Sequence, residues 1–152
     1  MTLPASFPMS MSQIATELGL SLPLSINHAW VIALAGKSGL PVSFSDLLGK
    51  TGRYDGNNAV GGVNPANISL NNPFFGGTLS AMNQSTTNGN MTLSFSVAPN
   101  WSGNIFAKNN TTGASAILAM QNSTTWSVNG ASGNILALRE GFTDSFTILP
   151  SN

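Results

Sequence analysis

The chain has 152 residues and only ten charged side chains, five basic against five acidic, so its length allows one core-bearing domain and its surface is nearly uncharged. Formal neutrality excludes a nucleic-acid surface, which needs clustered Lys and Arg to displace phosphate counterions, and favours self-association into a homo-oligomer. With no cysteine there is neither a disulfide nor a thiolate metal site, and 18 Asn with 33 Ser or Thr supply the polarity instead.

The N-terminal third reads as three short helices. Ser10 or Ser12 caps Gln13–Leu18, with Gly19 at the stop position. Asn27 caps His28–Leu34, with Gly36 just beyond. Ser45 caps Asp46–Leu48, with Gly49 as the stop. Helices this short need a packing partner. Ile14, Leu18, Trp30, Phe44 and Leu47 are therefore the candidate docking residues, with Leu34 and Leu48 completing a small shared core. The longest apolar stretch, Ala29 to Ala35, is too short to insert into a membrane, and Met1–Ser12 lacks the basic-then-apolar pattern of a secretory leader. The seven Asn-X-Ser/Thr sequons then follow from composition alone.

Residues 55–77, crowded with Gly, Asn and Pro, read as a connector: an ordered loop with one strand, since Phe74 and Phe75 need burial. Beyond it the pattern is β. Met91, Leu93, Phe95 and Val97 alternate with Thr92, Ser94 and Ser96, the period of a half-buried strand. Ala66–Leu70, Thr78–Met82, Asn104–Ala107, Ser115–Met120, Thr124–Asn129, Asn134–Arg139 and Ser145–Leu149 are the other expected strands. Turn signals separate them at Asn88-Gly89, Ser102-Gly103, Asn129-Gly130 and Ser132-Gly133. The expected fold is mainly β: an antiparallel β-sandwich of immunoglobulin-like size, with a small barrel or jelly roll as alternatives, preceded by a module of short helices. The domain reading is 1–54 helical anchoring module, 55–77 connector, and 78–152 (or from 66) sandwich.

Four blocks in the N-terminal third carry a pattern: Met11-Ser-Gln-Ile-Ala-Thr-Glu-Leu-Gly19, Leu24-Ser-Ile-Asn27, Ala33-Leu-Ala-Gly36-Lys-Ser-Gly39 and Val42-Ser-Phe-Ser-Asp-Leu-Leu-Gly-Lys50. Together they resemble a short module found in virion structural proteins of tailed bacteriophages, often followed by a β-rich domain. One departure is Ile32, near which that family often carries an Arg. The resemblance implies association with a phage particle, assembled in the bacterial host cytoplasm. It supplies no catalytic residue.

Sharper chemistry is weighed against simpler roles. Gly36-Lys37-Ser38 and Gly49-Lys50-Thr51 lack the upstream glycine of a phosphate loop, where Val31 and Phe44 stand instead. His28, the only histidine, has no nucleophile-elbow motif to serve and cannot alone make a zinc site. Glu140 and Asp144 flank a turn, so a salt bridge with Arg139 outweighs a glycosidase pair. Asp55-Gly56-Asn57-Asn58 lacks full calcium-loop spacing. Trp126 shares parity with Val128 and reads as core. Trp101, after Pro99-Asn100, is the candidate for an exposed adhesive surface, with burial as the alternative.

The expectation is a non-enzymatic structural or adhesive virion protein, tail-tip or fibre-associated, with no cofactor, no metal site and no catalytic residue. Its partners would be other virion proteins and a host-surface glycan or receptor. A capsid decoration protein is the alternative, and a carbohydrate-binding module the lower one.

Overall fold

The computed structural model describes residues 2–129 and 133–152, so Gly130, Ala131 and Ser132 of two expected turns lie outside the described residues. Three helices come first: α1 (Met11–Leu18), α2 (Ala29–Leu34) and α3 (Phe44–Leu47). At α1 Ser10 is the cap: its Oγ accepts the Gln13 N–H at 3.3 Å, while Gln13 Oε1 accepts the Ser10 N–H at 2.8 Å. Gly19 ends the helix at φ 68°, and a Cβ there would lie 3.0 Å from Leu149 of the last strand.

The other two caps differ from expectation. His28, not Asn27, caps α2, its Nδ1 accepting the Trp30 N–H at 3.1 Å. Ser43, not Ser45, caps α3, because Asp46 can return a hydrogen bond only to a cap three residues before it. The Ser43 N–H donates to Asp46 Oδ2 at 2.8 Å.

Eight strands follow: β1 (Tyr54–Ala59), β2 (Ala66–Phe74), β3 (Gly77–Gln84), β4 (Met91–Val97), β5 (Asn104–Asn109), β6 (Ser115–Asn122), β7 (Thr125–Val128) and β8 (Thr143–Ser151). All pair antiparallel in the order β1-β8-β5-β6-β7-β4-β3-β2. The fold is therefore mainly β with short helices, as expected, and its sheet nearly closes into a barrel. The outer strands meet through one bridge, Gly61 with Asn67, by two backbone bonds of 2.9 and 2.8 Å. β6 makes the corner: Ser115–Leu118 pair with β5, and Ala119–Asn122 with β7.

Two segments depart from the sequence reading. Residues 55–77 carry most of β1 and all of β2, not a connector with one strand. β1 tolerates Gly56 because the Tyr54 ring lies over it, where a Cβ would sit 2.3 Å from the phenol oxygen. Pro73 is accommodated because β2 pairs with β3 alone apart from that bridge. Conversely, Asn134–Arg139 is not a strand. Leu136 and Leu138 do turn inward, but side chains serve their backbone. Leu136 N–H donates to Gln84 Oε1 at 3.0 Å and Leu136 O accepts from Asn109 Nδ2 at 3.2 Å. Leu138 N–H and O both bond the Asn134 carboxamide, at 2.9 and 2.8 Å.

Core packing joins the halves. Ile14, Leu18, Val31, Leu34 and Leu47 from the helices belong to one continuous buried cluster with Ile68, Phe75, Leu79, Leu93, Trp126 and Phe146 from the β half. The helical third and the nearly closed sheet thus share a core rather than each closing its own.

Candidate functional site: a groove where the helices meet the barrel

Phe75 is the residue on which the junction is built. It occupies the turn between β2 and β3 at φ 48°, followed by Gly76 at φ 77°, the paired left-handed geometry of a tight hairpin. A phenylalanine there carries backbone strain, offset by what the residue holds. Its N–H donates to Thr51 O and its carbonyl accepts from the Asn100 N–H, both at 2.7 Å. Its ring packs on Phe74 at 5.0 Å and Trp101 at 4.9 Å between centroids. Gly52 lets Leu34 and Leu18 close over the same ring: a Cβ at Gly52 would be 3.1 to 3.2 Å from all three side chains.

Above this floor, α2 and the loop Pro99–Gly103 face each other across a groove of about 730 Å³. Trp30 from α2 meets Trp101 edge-on, centroids 5.4 Å apart at 88°. Asn100 Nδ2 donates to Ala33 O at 2.9 Å, tying the loop to the helix. Trp101 Nε1 donates to Asn104 O at 2.9 Å, and Gly103 leaves room for the indole, since a Cβ would be 2.7 Å from Cζ2. Ser38, Ser102 and Asn104 contribute to a polar lining that also includes Lys37, Asn100 and the last two residues, Ser151 and Asn152.

The sequence-predicted residues distribute unevenly. Ile14, Leu18 and Leu47 are sealed in the core, at most 1% exposed, so no partner reaches them; the fold's own β half takes the place of the expected partner. Trp30 and Phe44 are half-buried, and of the two only Trp30 lines the groove. Trp101 is only 7% exposed, so the burial alternative holds rather than an exposed ring: Phe75 and Trp30 pack against it. Trp126 is fully buried, as its parity implied. The N-terminal third exposes other large apolar residues, Phe7, Leu22 and Leu40, each more than half exposed. All three precede proline in sequence, the one local sign that they lie outside helices.

Four of the five carboxylates are held in structural contacts. Asp144, wholly buried, accepts from Arg139 and, at 2.9 Å, from Asn109 Nδ2. The Arg139 hydrogen bonds hold its carboxyl below the usual range despite burial. Asp55 bonds Arg53 Nε at 2.5 Å and the Thr147 hydroxyl at 2.6 Å. Asp46 pairs with Lys37 Nζ at 3.0 Å, and the Ser43 N–H and Lys37 lower its pKa. Glu17 is enclosed: Oε1 accepts the N–H groups of Gly52 and Arg53 at 2.8 and 3.1 Å, while Oε2 has no hydrogen-bond partner among the described residues. Burial raises its pKa against those two bonds. Among the described residues no three His, Cys, Asp or Glu cluster as metal ligands.

Comparison with family models, with curated proteins and with solved structures finds no match to this chain.

Proposed function

We propose that this chain is a non-enzymatic structural or adhesive component of a tailed-phage particle, tail-tip or fibre-associated. The N-terminal blocks motivate the particle assignment through their resemblance to virion modules. The observation that carries the non-enzymatic part is the commitment of four of the five carboxylates and of the single histidine. Glu17, Asp46, Asp55 and Asp144 each hold a fold contact, and His28 caps α2. In this reading the β half is a flattened barrel, whose faces β1-β8-β5 and β7-β4-β3-β2 correspond to the layers of a small sandwich, with β6 turning the corner.

Docking then falls to Phe7, Leu22 and Leu40 rather than to the buried Ile14, Leu18 and Leu47. Large apolar side chains left in water gain from being covered by a neighbour, and a nearly uncharged surface offers little repulsion to one. Replacing each with Asp in an otherwise intact chain tests this. The expected result is a folded protein missing from assembled particles; unchanged incorporation of all three variants would overturn the docking surface.

A further inference from the structure

We infer that the groove between α2 and the Pro99–Gly103 loop is a binding site for a neutral saccharide, with Trp30 as its stacking surface. The inference rests on the adhesive reading above and names its ligand class. The groove's volume, about 730 Å³, lies within the range of small-ligand sites. Its lining narrows the chemistry.

Lys37 is its only charged side chain, and it is already held by Asp46 and by Pro41 O, both at 3.0 Å. An anion would find no uncommitted cation there. The hydroxyls of Ser38 and Ser102, the Asn104 carboxamide and the Asn100 Oδ1 make no hydrogen bond among the described residues. Each hydroxyl both donates and accepts, and so does the carboxamide of Asn104; these are the partners that a sugar hydroxyl can match in either direction. A purely apolar ligand would leave them desolvated and unpaired. The half-buried Trp30 indole adds an apolar face of the kind that packs on the C–H face of a pyranose.

The site is also held in place before any ligand arrives. Asn100 Nδ2 to Ala33 O, Trp101 Nε1 to Asn104 O and Asn100 N–H to Phe75 O fix the loop against the helix and the barrel. A preorganised site avoids an ordering cost on binding.

The test uses the purified full chain and a panel of neutral mono- to tetrasaccharides of hexoses and N-acetylhexosamines beside uronic-acid and sialic-acid counterparts, read by calorimetry and tryptophan fluorescence. At least one member is expected to bind. Trp30→Ala and Asn104→Ala should each weaken it about tenfold, the loss of one good contact, at unchanged secondary structure. Asn104→Ala guards against a folding artefact, since that side chain makes no hydrogen bond among the described residues. No binding across the panel at millimolar sugar, or binding indifferent to both variants, would overturn the inference. So would preference for anionic sugars alone, or a concentration-dependent dimer that Trp30→Ala abolishes. Because isolated protein is used, failure here leaves the particle assignment to its own experiment.

Discussion

At the scale of single residues, Glu17 sets a pH dependence that the three aspartates do not. Its folded pKa is raised, so the folded chain binds that proton more tightly than the unfolded one. The associated stability is fully present below the unfolded value of about 4.3 and is lost as pH rises through the folded value. Asp46, Asp55 and Asp144 act oppositely: their lowered pKa values give stability present above about 3.9 and lost as pH falls through the folded values. Thermal unfolding followed from pH 3 to 8 should therefore show a maximum, with the decline on its alkaline side removed in Glu17→Gln. Gln keeps the acceptor for Gly52 and Arg53 without the charge. An alkaline decline of equal size in the variant would assign it to another group. Phe75→Ala should cost about 3–5 kcal/mol, the range for a buried aromatic, with no offset from the backbone because Ala keeps the Cβ that strains the left-handed conformation. Chemical denaturation measures this. Neither role was visible in sequence: Glu17 reads as an ordinary polar helix position, and Phe75 only as an aromatic that must be buried somewhere.

At the scale of elements, legibility follows how locally each segment is determined. β4 is legible because its alternation sets Met91, Leu93 and Phe95 inward on a sheet wet on the other side. α1 is legible because cap, body and stop all lie within one short run. β1 is not, since Tyr-Asp-Gly-Asn-Asn-Ala has turn-forming composition and becomes a strand only through its pairing with β8. The loop 134–139 misleads in the other direction: its alternation buries Leu136 and Leu138, but Gln84 and Asn109, distant in sequence, replace the ladder partners. Ala137 sits there at φ 48°, so Ala137→Gly should raise stability by up to about 1 kcal/mol, where a true strand position would lose a similar amount. The thermal midpoint distinguishes the two. The groove was likewise illegible, because Trp30 and Trp101 meet only after the sheet curls and α2 docks on its rim.

At the scale of the whole molecule, one core shared by helices and barrel has a practical consequence. Removing residues 1–50 strips Leu18, Val31, Leu34 and Leu47 from Phe75 and its neighbours, so the remaining chain should lose cooperative unfolding. A 51–152 fragment that melts in one sharp transition near the full chain's midpoint would show the barrel to be self-sufficient. Loss of such a fragment from particles would therefore report folding rather than docking, and point substitutions are the sounder probe. The composition belongs to this scale too: few charges, abundant Asn, Ser and Thr, and isolated apolar side chains on the surface suit a subunit packed among neighbours. The particle assignment is tested most directly by quantitative mass spectrometry of gradient-purified particles from cells infected with a phage encoding this chain, scaled to the major capsid protein. The account predicts this chain at a few copies per particle; a ratio near one would move it to capsid decoration, and its absence from the particles would contradict the virion role.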